Sequence, residues 1–286
     1  MEGFLDLPEV LDSRQFLIAV KRLADSLAFG TDRSPYIGSG LEYHQSRPYQ
    51  SGDSIKAIDW RVTARTGKVH VKEYEAIKRL PVWILVDTSA SMTISSTRKS
   101  KYEVAVYVAG GVALASLEAI RPVGFMGVGG RGLLRPESLS KYQVHGWLHD
   151  LRRYRFDEPT NLGRRVADLA ARLPQRSQMI VLSDMHEPAA LPALKLAAQA
   201  HDCSVIHLVD PAESGLRGTG FVRGAEAETG RLVIAAGRRA WVDAVSLRES
   251  LKKSRIDCLT IDISQPYAAR LRQFFKGRNM LGRGAR

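Results

Sequence analysis

Residues 80–91 read LPVWILVDTSAS, an apolar run of strand type that stops at Asp87-Thr88-Ser89-Ala90-Ser91. A short apolar run bounded by turn chemistry fits a strand buried on both faces, as in the middle of a parallel sheet. Asp87, Ser89 and Ser91 set a carboxylate and two hydroxyls at alternate positions just past the carboxyl end of that strand. Their oxygens can converge there on one hard cation. The same short pattern also serves as an ordinary turn or helix cap, so its meaning depends on what else the chain brings to that edge.

Downstream, Pro159-Thr160-Asn161-Leu162-Gly163 precedes a helical pattern, VADLAARL, and residues 178–182 form a second strand signal that runs into Ser183-Asp184. From residue 80 onward strand and helix signals alternate: VWILVD, residues 102–120, VGFMGV, residues 139–153, the helix after Asn161, MIVLS, residues 188–200 and CSVIHLVD. Alternation of this kind predicts an α/β fold, a mostly parallel sheet covered by helices. Loops at the carboxyl ends of neighbouring strands then meet at a crevice, so Thr160 and Asp184 can join Asp87, Ser89 and Ser91. Two carboxylates and three hydroxyls make a hard oxygen set that suits Mg²⁺ or Mn²⁺.

Before residue 80 the pattern changes. Residues 13–27 have helical periodicity, with Asp12-Ser13 as a capping candidate. Residues 36–75 are rich in turn residues and aromatics, with a strand signal in KVHVKEY. Residues 221–235, FVRGAEAETGRLVIA, read as a hairpin turning at Glu228-Thr229-Gly230. The expected organisation is an N-terminal helix in 1–30, a small β-rich subdomain from 31–79 and 211–237, and an α/β domain from 80–210 and 238–286.

With 286 residues and 44% hydrophobic content the chain can bury a sizeable core. The opening MEGFLDLPEVLDS has neither a basic region nor an apolar core of signal type. The longest apolar run, residues 104–115, is too short to span a bilayer and contains Gly110-Gly111. A cytoplasmic protein with no membrane span is expected. Cys203 and Cys258 each lie in a strand-like run without CxxC spacing, which favours buried reduced thiols. The formal net charge of +12 can steer the protein to nucleic acid, an anionic membrane or an acidic partner. Its basic tail (Arg270, Arg272, Lys276, Arg278, Arg283, Arg286) is unaccompanied by a nucleic-acid-binding module, which favours a solvated basic face.

Residues 127–132, GVGGRG, match GxGxxG, but Leu133-Leu134-Arg135-Pro136 follows where a dinucleotide fold needs a helix, so a hairpin is expected. The chain lacks GxxxxGK[ST], GxSxG and HExxH. ATP hydrolysis, serine hydrolase and zinc hydrolase chemistry therefore lack their sequence signatures. His186, two residues after Asp184, is the first candidate base for a hydrolase built on Ser89 or Ser91.

The ordered set of Asp87, Ser89 and Ser91, then Thr160, then Asp184 resembles the metal-ion-dependent adhesion site of von Willebrand factor A domains. This chain has Asp184-Met185-His186 where many such domains place glycine after the last aspartate. Residues 38–75, GSGLEYHQSRPYQSGDSIKAIDWRVTARTGKVHVKEYE, resemble the signature of the bacterial family called domain of unknown function 58, and Val209-Asp210-Pro211-Ala212-Glu213 and Glu228-Thr229-Gly230 also fit it. The resemblance implies a von Willebrand factor A-like fold and no enzymatic activity. It further implies a site whose open coordination position takes an acidic residue of a partner. Members of that family are typically encoded beside MoxR-type AAA+ ATPases, which implies an adaptor or co-chaperone role toward such an ATPase and a client in metalloenzyme maturation. Arg47, Asp53, Asp59, Trp60 and Arg65 are the candidate partner-docking residues, with a salt-bridge network around a packed Trp60 as the structural alternative. A metal-dependent hydrolase and a nucleic-acid-binding accessory protein are the other readings.

Overall fold

The structure, a computed structural model, describes residues 2–4, 13–28, 41–76, 80–215, 221–225, 232–236 and 243–277. Its strands are β1 (Glu2–Phe4), β2 (Leu41–Pro48), β3 (His70–Ala76), β4 (Val82–Val86), β5 (Val123–Gly127), β6 (Leu134–Ser138), β7 (Arg153–Arg155), β8 (Gln178–Ser183), β9 (Asp202–Val209), β10 (Phe221–Ala225), β11 (Leu232–Ala236) and β12 (Asp257–Asp262). The helices are α1 (Ser13–Ala28), α2 (Trp60–Thr66), α3 (Ala90–Thr93), α4 (Lys101–Glu118), α5 (Lys141–Leu151), α6 (Leu162–Arg172), α7 (Ala190–Ala197), α8 (Pro211–Gly215), α9 (Ala244–Lys253) and α10 (Ala268–Gly277).

The apolar run before Asp87 becomes β4, buried along its whole length in a six-stranded sheet of order β12-β9-β8-β4-β5-β6. All pairings are parallel except that of β5 with β6. Alternate side chains feed two apolar layers, which is why the run has no polar face. Val82, Ile84 and Val86 pack with residues of α1, α4, α5 and α10. Trp83 and Leu85 pack with residues of α6, α7 and α9. Strand β5 lies on one side of β4 and β8 on the other, so the chain reverses its direction of sheet growth at β4. Such a switch point opens a crevice at the carboxyl ends of the strands.

Helix α4 is buried on nearly every side between the sheet and α1, so it is apolar all round rather than amphipathic. Gly110 and Gly111 let α1 approach. A Cβ on Gly110 would fall 2.7 Å from Val20 Cγ1, and one on Gly111 would fall 2.8 Å from Leu23 Cδ2. Among the described residues no helix is long and apolar enough to cross a membrane.

The chain divides into two compact units, one of residues 1–30 and 80–283 and one of 31–79 and 284–286. The described residues 211–215, 221–225 and 232–236 fall in the larger unit rather than with 31–79. Strands β10 and β11 satisfy their backbone groups against each other, and β2 and β3 do likewise, so the hairpins form separate two-stranded sheets. Asp12, Gly38-Ser39-Gly40, Glu228-Thr229-Gly230 and the tail residues Arg278, Arg283 and Arg286 lie outside the described residues.

Candidate metal centre

Asp87 leaves β4 with its amide donating to the Leu182 carbonyl at 2.9 Å, so the ladder with β8 carries one residue beyond the strand. Its side chain is 2% exposed. Oδ2 accepts from Ser183 Oγ at 2.6 Å, and Oδ1 accepts from the Ser89 amide at 3.0 Å. Burial, and then the charge of Asp184, push its pKa up to about 7. Hydrogen bonds from Ser183 and Ser89 offset only part of that rise. Among the described residues no cationic side chain forms a salt bridge with Asp87. Burial without a cation partner thus favours the protonated form of Asp87.

Ser89 turns the chain into the short α3, and its Oγ lies 3.1 Å from Ser91 Oγ. Ser91 lies near enough to Asp184 to help lower its pKa. Contacts thus run from Asp87 through Ser89 to Ser91, and Asp184 is close enough to act electrostatically on Asp87. Thr160 comes from another loop. The Ala90 amide donates to the Glu158 carbonyl at 2.8 Å, and Thr160 bridges to Gly129, which docks that loop on the Asp87–Ser91 turn. All five of these side chains carry oxygen donors.

Asp184 follows β8 directly. Its Oδ2 accepts from Lys101 Nζ at 2.8 Å and lies 3.3 Å from His186 Nδ1. Burial pushes Asp184 up, but His186, Lys101 and the hydrogen bonds from Lys101 and Ser91 outweigh it and hold the carboxyl below its ordinary value. The missing glycine after Asp184 has a structural counterpart. Met185 takes the left-handed conformation at φ 57°, and its side chain is buried in the α6/α7 layer. A turn that glycine would make freely is here made by a methionine whose packing offsets the strain.

Lys101 begins α4 and is buried. Its ammonium bridges Asp184 and Glu213, the latter from α8. Burial lowers the lysine pKa, but the two carboxylates outweigh this and raise it, so the side chain stays charged. Asp210 ties α8 to the loop before α4 by accepting from the Ser96 amide at 2.7 Å, Ser95 Oγ at 3.1 Å and the Ala212 amide at 2.8 Å. Ligand atoms of Asp184, His186 and Glu213 lie within 4.8 Å of one another, an acidic group able to hold a metal. His207, in register with Ser183 on β9, lies beside Asp184 and is pushed down to about 4 by burial.

A second ion pair, of buried Glu158 with half-buried Arg131, supports the Thr160 loop. Glu158 accepts from Thr88 Oγ1 at 2.7 Å, from the Arg131 amide at 3.0 Å and from Arg131 Nε at 2.6 Å. Gly129 sits against this knot, where a Cβ would overlap both Glu158 and Thr88. The GVGGRG stretch is thus a hairpin turn into β6, as expected, and its glycine serves close approach. Among the described residues no hydrogen bond joins Ser89 or Ser91 to a histidine. Lys101, Glu213, Glu158, Arg131 and Gly129 were not among the predicted site residues. The only signals for them are a lysine after a capping serine, the glutamate of the Asp210–Glu213 stretch, and the set-aside glycine pattern.

In the smaller unit the five candidate docking residues separate into two kinds. Arg47 binds Asp53 through two parallel hydrogen bonds of 2.7 and 2.8 Å, and Asp53 also accepts from the Gln50 amide. Asp53 is held down at about 2, chiefly by the Arg47 hydrogen bond. Asp59 is buried and caps α2, accepting from Ser46 Oγ at 2.6 Å and from the amides of Arg61 and Val62. These three residues hold the unit together, whereas Trp60 and Arg65 are exposed. The expected alternative of a packed Trp60 is not what forms: the tryptophan is 69% exposed, because the buried cap beside it turns its side chain outward.

The profile of the family described as protein of unknown function DUF58 matches residues 45–249. The uncharacterized protein Mb1516 of Mycobacterium bovis is 28% identical over 237 residues, covering 80% of this chain and 74% of that protein. The uncharacterized protein Rv1480 of Mycobacterium tuberculosis matches with the same figures. Among solved structures, the conserved hypothetical protein BatB from Bacteroides thetaiotaomicron is similar at 17% identity and a TM-score of 0.48, over 71% of this chain and 98% of that one. An uncharacterized membrane spanning protein from Vibrio fischeri is similar at 15% identity and a TM-score of 0.24, over 70% and 96%.

Proposed function

The chain belongs to the DUF58 family, and from that premise and the oxygen cluster beyond β4 and β8 we propose that it is a non-enzymatic cytoplasmic adaptor or co-chaperone of von Willebrand factor A type. In this reading Asp87, Ser89, Ser91, Thr160 and Asp184 form a metal-ion-dependent adhesion site for Mg²⁺ or Mn²⁺. The partner is a MoxR-type AAA+ ATPase, its client, or both, in the maturation of a metalloenzyme. The observation that carries the reading is Asp87, a buried carboxyl group paired with no cation among the described residues and set beside Ser89, Ser91 and a second buried carboxylate, Asp184, whose charge acts on it. A bound divalent cation supplies an open coordination position that an acidic side chain of the partner can fill. The residues of this chain orient the oxygens: Ser183 and the Ser89 amide fix the two oxygens of Asp87, and Lys101 fixes Asp184.

The test is co-purification of the tagged protein with a MoxR-type ATPase in Mg²⁺ and in EDTA, beside assays for metal-dependent turnover. Retention of the ATPase in Mg²⁺ and its loss in EDTA is the expected result. Equal retention in both sinks the metal-mediated interface, and a Ser89-dependent turnover of an ester or phosphate substrate replaces the adaptor with a hydrolase.

A further inference from the structure

We propose that the exposed face of α2, with Trp60 as its anchor, is a metal-independent docking surface for an acidic segment of a partner protein that carries an apolar side chain. Residues 60, 61, 64 and 65 share one face at helical spacing, and all but the small Ala64 are large: Trp60, Arg61 and Arg65. All four are exposed. The helix that presents them is short but held at both ends. Asp59 caps its start, and Gly67 closes its end in the left-handed conformation at φ 69°, its amide donating to the Thr63 carbonyl at 2.9 Å. The segment is tied to β3 by the bridge of Ile58 with Val71 and by the Asp59 amide donating to the His70 carbonyl at 2.8 Å. Trp60 is therefore offered to solvent from a fixed backbone, which lowers the ordering cost of binding.

The chemistry of the occupant follows from charge and from what surrounds the tryptophan. Residues 54–72 hold five Lys or Arg and one acid. That acid, Asp59, is buried and spent on Ser46 and the helix amides, and of the five cations only Lys72 acts on it. Among the described residues Arg61 and Arg65 enter no ion pair. A face with unneutralised cations calls for carboxylates opposite. Ile55 is 72% exposed and Val69 is exposed too, both near this face in sequence. Stacking of bases on Trp60 with phosphates on the arginines would use the tryptophan and the charges but leave these aliphatic side chains unused. An acidic peptide with an apolar anchor uses all of them, and Trp and Arg are the residue types that most often dominate protein interfaces. This surface does not depend on the metal reading, since every residue in it belongs to the smaller unit.

The experiment pans a random peptide library displayed on phage against the full chain in EDTA, which silences the metal centre. Selected peptides and an oligothymidylate are then titrated against wild type, Trp60→Ala, Trp60→Phe and Arg61→Glu/Arg65→Glu, with folding checked by circular dichroism. The expected result is a consensus of Asp or Glu around an aromatic or branched aliphatic residue. Its affinity should fall by at least about tenfold in Trp60→Ala and in the double variant, be largely kept in Trp60→Phe, and weaken with salt. A consensus without acids, or acidic peptides that bind the variants as well as wild type, overturns the proposal. So does a Trp60-dependent preference for the oligothymidylate, or self-association that Trp60→Ala abolishes.

Discussion

Lys101 Nζ lies 2.8 Å from Asp184 Oδ2 with both side chains nearly free of solvent contact. A tethered ammonium thus holds one of the two buried carboxylates of the candidate metal centre, while the other, Asp87, has only neutral donors. Lysine and a divalent cation compete for the same negative charge. Replacing Lys101 with Met removes the ammonium from Asp184 and leaves it only His186 and Ser91, at a cost of up to about 3–5 kcal/mol in the metal-free protein. The variant should then gain more stability from Mg²⁺ than wild type does, as read by urea unfolding in EDTA and in excess Mg²⁺. Equal gains would show that the ammonium and the ion do not compete.

Asp87 gives the metal-free protein a pH signature of defined sign. Its folded pKa, pushed up to about 7, lies above the unfolded value, so the folded state binds the extra proton. The resulting stability is complete below the ordinary carboxylate range and is lost as pH rises through about 7. In EDTA, Asp87→Asn should lack this loss, so its melting temperature should gain on that of wild type between acid and mildly alkaline pH. A gap that stays constant across that range would mean that Asp87 titrates as it does in the unfolded chain.

The knot at Gly129 predicts a cost for a single methyl group. Glu158 is held by Thr88 and twice by Arg131, so it cannot move aside for a Cβ without losing bonds. Gly129→Ala should destabilise by roughly 1–3 kcal/mol, the cost of a disrupted buried hydrogen bond. Because the same knot seats the Thr160 loop, the thermal shift produced by Mg²⁺ should shrink as well. Calorimetric scans of the variant with and without Mg²⁺ check both outcomes.

In the smaller unit Asp59 is the cap on which α2 depends. Asp59→Ala should cost about 0.5–2 kcal/mol locally. Faster hydrogen exchange at the Arg61 and Val62 amides, which now donate to its carboxylate, would report that loss. Unchanged exchange at those two amides would show that the cap is not what holds the helix.

The strands were legible because burial on both faces leaves an unbroken apolar run at 82–86 and 178–182. Asp87 and Asp184 were legible because a polar residue directly after such a run must stand at the sheet edge. Their chemical neighbours were not. Lys101 reads as an ordinary first-turn lysine after a capping serine, and nothing local tells that its ammonium turns inward to Asp184 and Glu213. The Glu158–Arg131 pair joins two loops whose meeting depends on the sheet order. Arg47, Asp53 and Asp59 were read as docking residues because sequence carries charge but not direction, and these charges are spent on one another, on Ser46 and on backbone amides.

Glycine contacts between α1 and α4 have a consequence for how the chain is made. The stripe of Phe16, Val20, Ala24 and Leu27 is translated well before its partner at 101–118, with the whole of 31–79 emerging in between. Another neighbour comes later still: Arg272 Nε in α10 donates to the Ser26 carbonyl at 2.6 Å. At roughly 5–20 residues per second, a nascent apolar helix waits on the order of seconds for the surface that covers it. The last of its contacts forms only after α10 has left the ribosome. Chains stalled before α4 would leave the apolar stripe of α1 uncovered, and loss of α10 would remove a contact from a helix more than two hundred residues upstream.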